Sequence, residues 1–126
     1  MIFEVIEWIR QQCVASGVSV AYQDLISSET LQNVCAVRSL PDSVITNSMG
    51  CGKDYTVQTF SVLYRGNTDR KANIEVMDAI FRSLHKKVVT LANTKIVISL
   101  AERPSFVFED SKGIAHYNLN VQITYN

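Results

Sequence analysis

Several kinds of chemistry are missing from this chain of 126 residues. It contains no Cys-x-x-Cys pair and only three cysteines, Cys13, Cys35 and Cys51, an odd number without regular spacing. A disulfide framework or a structural zinc site would need paired Cys or Cys/His spacing, so neither is indicated and reduced thiols are expected. There are two histidines, His85 and His116, which leaves little general-base capacity for a nucleophile. Charge of one sign is not in excess: twelve basic side chains balance twelve acidic ones. A binder built on phosphate neutralisation needs a clustered basic surplus, and the balance argues against that class. Little long-range repulsion then opposes association. The amino-terminal MIFEVIEWIRQQ carries Glu4, Glu7 and Arg10 inside its apolar pattern, which fits neither a secretory signal nor a membrane span. The expectation is a soluble protein that stays inside the cell that makes it.

What is present is one domain's worth of alternating apolar pattern, with no internal repeat and no low-complexity segment. Ile2, Val5, Ile6, Ile9 and Cys13 fall at helical spacing, and Gly17 is placed to cap that helix. Val18 to Gln32 has no clear period and reads as loop with room for a short strand or helical turn. Val34 to Arg38 fits a short strand, which Leu40-Pro41-Asp42-Ser43 interrupts because proline cannot donate to a ladder. Tyr55 to Arg65 is strand-like, with Phe60, Val62 and Tyr64 on one face and Val57 and Leu63 on the other. Thr68 or Asp69 suits the N-cap of a helix reaching about Lys87, with a stripe of Ile74, Met77, Phe81, Leu84 and Val88 flanked by Ile80.

Lys95 to Leu100 reads as another strand, followed by Pro104 in a connection and a turn over Asp110-Ser111-Lys112-Gly113. Ile114 to Tyr125 shows the clearest alternation. Tyr117, Leu119, Val121 and Ile123 point one way, and His116, Asn118, Asn120, Gln122 and Thr124 point the other. Strands in clusters rather than strict alternation with helices predict a single α+β domain. The expected form is a mostly antiparallel sheet of about four strands with two helices packed on one face. The ridge Tyr117–Leu119–Val121–Ile123 is expected to lie under Ile74, Met77, Phe81 and Leu84. The polar sheet face, with Asn118, Asn120 and Gln122, is left for water or a neighbour.

The stretch NSMGCGKDY, Asn47 to Tyr55, invites two chemical readings. A phosphate loop fails on spacing: the first glycine position is Asn47, the hydroxyl position is Asp54, and a strand follows where a helix N-terminus is needed. A reactive Cys51 beside Lys53 would still need a base, and nothing in the sequence brings His85 or His116 near it. Carboxylates are scattered without metal-ligand or paired acid/base spacing. No catalytic, cofactor-binding or metal-binding residue is therefore expected. The segment Asn47, Ser48, Met49, Gly50, Cys51, Gly52 and Lys53 is expected to be a glycine-rich loop that orders against a neighbour. With Asn118, Asn120 and Gln122 it forms the candidate assembly interface.

Three segments carry a resemblance. They are Leu40-Pro41-Asp42; a strand with Gln58, Phe60, Val62 and Arg65 running into a helix with Ala72, Met77, Ile80 and Leu84; and a closing Pro104, Phe106 or Val107, Asp110, Gly113 and Tyr117-to-Tyr125 pattern. In order and spacing, over about residues 38 to 126, these resemble bacteriophage minor capsid and tail terminator proteins. The resemblance implies a ring subunit, expected as a hexamer, that caps the tail tube at the head-proximal end of the virion after assembly in the bacterial cytoplasm. Its implied partners are itself, the tail-tube protein and head completion proteins, with DNA only passing through the lumen and no membrane. Alternative expectations are a head completion or minor capsid joining protein, an unrelated small protein-binding module, or, last, a thiol enzyme at Cys51.

Overall fold

The computed structural model describes residues 2–26, 31–40, 45–48, 54–91 and 95–125. The first helix, α1 (Ile2–Ala15), buries Val5, Ile6, Trp8, Ile9 and Cys13, while Ile2 is exposed at its start. It ends in the left-handed cap that the sequence predicts. Gly17 sits at φ +111°, its N–H reaches Val14 O at 3.2 Å, and the Val18 N–H reaches Cys13 O at 3.2 Å. Those two bonds satisfy carbonyls that the helix end would otherwise leave open.

Two short strands follow, β1 (Val20–Gln23) and β2 (Val34–Ser39), paired in parallel. Then come β3 (Ile45–Ser48) and the long β4 (Asp54–Arg65). The second helix, α2 (Arg70–Leu84), starts at Asp69, whose carboxylate accepts from the Lys71 and Ala72 N–H groups. Four strands complete the chain: β5 (Lys87–Leu91), β6 (Lys95–Ala101), β7 (Ser105–Glu109) and β8 (Ala115–Tyr125). All strands belong to one mixed sheet, ordered β1-β2-β4-β8-β6-β5, with β3 also on β4 and β7 also on β8.

The centre is the antiparallel β4–β8 pair. Its register sets Gln58 opposite Ile123, Phe60 opposite Val121, Val62 opposite Leu119 and Tyr64 opposite Tyr117. These residues share the face that both helices cover, α1 over β1 and β2, α2 over β6 and β8. Fully burying a large apolar side chain here contributes roughly 1.5–3 kcal/mol, and a one-residue slip would expose the whole row. The α+β class, the two helices on one face and the inward ridge on β8 all match the sequence expectation.

The sheet is larger than the expected four strands, and two of the additions, β3 and β7, share a local origin. Each central strand is flanked along one edge by two shorter strands running in the same direction: β2 then β3 on β4, and β6 then β7 on β8. The Leu40 N–H still reaches Thr59 O at 2.9 Å, and the Glu102 N–H reaches Asn120 O at 2.8 Å, before each ladder is broken. The chain's two prolines, Pro41 and Pro104, follow within two residues of those bonds. Each broken strand counts as two. The Pro41-Asp42-Ser43 part of the expected turn and the Ser27-to-Thr30 polar cluster lie outside the described residues.

The α2 stripe is also corrected. Its buried side chains are Asn73, Met77, Ile80 and Leu84, with Phe81 packed at the margin, while Ile74 is 60% exposed. The buried row is turned one residue from the purely apolar one, because Asn73 spends its carboxamide on the chain before the helix. Helix α2 stops at Leu84 rather than near Lys87. His85 is extended, Lys86 takes φ +53°, and the β-branched Val88-Val89-Thr90 run enters the sheet as β5. Val88 is thus an exposed strand residue and not part of the helical stripe.

Candidate assembly surface

Residues Asn47 and Ser48 are not loop. Both belong to β3, with Asn47 opposite Tyr55 and Ser48 opposite Asp54 in an antiparallel hairpin with β4. Regular pairing wins because the two consecutive strands satisfy each other's backbone groups across the ladder. The connecting Met49, Gly50, Cys51, Gly52 and Lys53 lie outside the described residues.

The second sheet face carries the other interface candidates. Asn118 accepts a hydrogen bond from the Ser61 hydroxyl at 2.6 Å through Oδ1, and donates through Nδ2 to Asn120 Oδ1 at 3.2 Å. Asn118 and Asn120 are half-buried, and Gln122 is exposed. This polar strip borders an apolar one. Leu100 lies opposite Gln122 and Ile98 opposite Thr124, and Val88 on β5 lies opposite Ile98. Val88, Ile96, Ile98 and Leu100 are all exposed large apolar side chains.

The signal for that apolar strip is present in KIVISL and inverted. The larger residues Ile96, Ile98 and Leu100 point outward, while Ser99 faces the core, fully buried, and donates to Leu84 O at 2.7 Å. Burying serine while exposing isoleucine reverses the usual order of burial.

Strand β7, which sequence reasoning placed in a connection, has all five residues exposed. A bulge between Phe106 and Phe108 sends these rings to opposite faces. Phe106 meets Tyr117 edge-on at 5.8 Å on the helix face, and Phe108 stacks on His116 at 4.2 Å on the other. An open apolar cleft lined by Ile74, Met77, Phe106 and Tyr117 runs between α2 and β7, with Asp78 and Arg103 at its rim.

Both histidines have scaffold roles here. The His85 ring stacks on Phe81 and its Nδ1 accepts from the Ala101 N–H at 3.2 Å, which ties the end of α2 to β6. His116 lies 3.2 Å from Asp110. That contact, together with the Ile114 and Lys112 N–H groups, holds the Asp110 carboxyl below its usual range. Asp110 thus ties together the β7–β8 turn that the sequence predicts, with Gly113 at φ +79°.

Two further titratable groups are buried in the scaffold. A hydrogen bond with Cys35, followed by burial, pushes the Cys13 thiol well up, which keeps it protonated and unreactive. Burial, with Cys35 and Tyr117 nearby, pushes the Tyr64 phenol up to about 12. Its hydroxyl donates to Asn33 Oδ1 at 2.6 Å. Asn33, at φ +56°, also donates from Nδ2 to Gly17 O at 2.8 Å, and its backbone bonds both Ser19 and Gly66. It joins the end of α1, the start of β1 and the end of β4, a role invisible in the sequence.

Among the described residues no group of three or more His, Cys, Asp or Glu side chains is placed to hold a metal ion. Among them, too, no helix is long and apolar enough to cross a membrane. No protein-family model and no curated protein sequence matches the chain.

Proposed function

We propose that this protein is a virion assembly subunit of a bacteriophage or prophage, a tail terminator that forms a ring and caps the tail tube where it meets the head. The observation that carries the reading is the second sheet face. It presents a polar strip, Asn118, Asn120 and Gln122, beside an apolar strip, Val88, Ile96, Ile98 and Leu100, with neither helix over it. A ring subunit needs surfaces of this kind and no reaction centre, because head-to-tail contacts close into a ring when the rotation between subunits closes. The β3–β4 hairpin adds a second contact element, with Asn47 and Ser48 on its shorter strand. The order and spacing of the Leu40-Pro41-Asp42, Gln58-to-Arg65, α2 and β8 patterns support the same reading.

In this role the expected assembly is a hexamer located in the virion, with the tail-tube and head completion proteins as partners and DNA passing through the lumen. Deletion of the gene from its phage, followed by electron microscopy of the lysate, tests the proposal. Overlong tails without heads are expected. Tails of correct length beside tailless heads would instead assign a head-joining role, and normal virions would reject both.

A further inference from the structure

We infer that β7 is a self-association edge, which pairs antiparallel with β7 of a second copy of this chain across a two-fold axis at Phe106. Strand β7 is bonded to β8 along one side, and among the described residues nothing pairs with its other side. An exposed edge is normally protected by short length, a bulge, lysine, proline or an inward charge, and β7 has five residues, a bulge after Phe106 and Pro104 just before it. Here the edge carries three consecutive exposed apolar side chains, Phe106, Val107 and Phe108. The cleft beside it adds Ile74, 60% exposed on α2.

The charges select the occupant. The segment Arg-Pro-Ser-Phe-Val-Phe-Glu begins on Arg103 and ends on Glu109, so antiparallel pairing brings Arg103 of each copy beside Glu109 of the other, with the bulge after Phe106 lying between the charged ends. Both charged groups lie on the helix face. The Arg103 guanidinium sits 5.4 Å from the centre of the Phe81 ring, and Glu109 is 4.0 Å from Arg70 of α2. A two-fold axis perpendicular to the sheet keeps the helix faces of both copies on one side. The two Phe106 rings then face each other, and each cleft, with its Ile74, receives cover from the other copy. The two sheets continue into one, so main-chain bonds supply affinity while the charged ends fix the register. A two-fold joint uses one edge twice whereas a ring uses two different surfaces, so this inference does not rest on the proposed function.

Sedimentation velocity of the full chain over a range of concentrations tests it. A reversible dimer is expected. Arg103→Glu and Glu109→Arg should each weaken the dimer by roughly tenfold or more, since each places like charges opposite one another twice. The double variant should restore it, which shows that neither change acts by unfolding. In a Cys51→Ser background, Phe106→Cys should form a disulfide-linked dimer with oxidised glutathione, and Val88→Cys should not. A chain that stays monomeric throughout would overturn the inference, as would a dimer indifferent to both charges or cross-linking through Val88→Cys in place of Phe106→Cys. Ring-sized oligomers that ignore all β7 variants would reject the β7 joint and leave the ring reading standing.

Discussion

Asn73 folds its carboxamide back onto the backbone of Asn67: Oδ1 accepts the Asn67 N–H and Nδ2 donates to the Asn67 carbonyl, each at 2.9 Å. The side chain is fully buried and lies against Gly66, where any Cβ would collide with it. Gly66 in turn donates its N–H to Ala115 O and accepts from the Asn33 N–H. A single amide therefore sets how β4 turns into α2 and how both meet β8.

Replacing that amide tests its structural weight. Asn73→Leu keeps the branched skeleton, adds bulk against Gly66 and removes both bonds, leaving a backbone N–H and carbonyl without partners. A loss of about 2–4 kcal/mol is expected, read as a lower midpoint in urea unfolding with an unchanged slope. A loss under about 0.5 kcal/mol would show that water replaces the clasp.

Gln58 should behave in the opposite way. It is 1% exposed in the row with Phe60 and Val62, and among the described residues its Oε1 has no hydrogen-bond partner. A buried polar atom without a partner costs about 1–3 kcal/mol. Gln58→Met, of similar shape, is expected to raise stability by roughly 1 kcal/mol in the same titration. If stability falls instead, the Gln58 amide is contributing to the fold.

Alkaline pH offers a third measurement. Folding raises the Tyr64 pKa to about 12, so the folded state favours the neutral phenol. The associated stability is complete below the ordinary tyrosine value near 10, and it is lost as pH rises from there through about 12. Ultraviolet titration of the native protein should contain a late step from Tyr64. In Tyr64→Phe that late step should vanish. Its stability at pH 7 should fall by about 1 kcal/mol for the lost bond to Asn33.

The two apolar rows on β6 and α2 should separate folding from assembly. Ile80 is fully buried and Ile98 is 45% exposed. Ile80→Ala is expected to cost about 2–5 kcal/mol of stability. Ile98→Glu should change stability by no more than about 0.5 kcal/mol yet, under the proposed terminator role, abolish ring formation, scored by light scattering and by tail length in a complementation assay. Unimpaired rings from Ile98→Glu would remove the β5–β6 strip from the interface.

The amino-acid pattern by itself determined the local features. The alternation on β8, the β4 face with Phe60, Val62 and Tyr64, the Gly17 cap and the Asp69 cap each follow from local geometry that one segment enforces alone. Tertiary structure decided the rest, because those choices depend on what lies opposite. Val88 continues the spacing of α2 but joins a strand, since the β-branched run gains a ladder with β6. Asn73 displaces Ile74 from the core, since two backbone bonds to Asn67 outweigh one exposed isoleucine. Asn47 and Ser48 read as loop until β4 supplies a partner, and β7 becomes visible only when β8 does the same. Of the candidate surface, the polar strip on β8 was legible from period two alone. The apolar strip beside it was legible only in reverse, because one register both turns Ser99 inward and leaves Ile96, Ile98 and Leu100 outside.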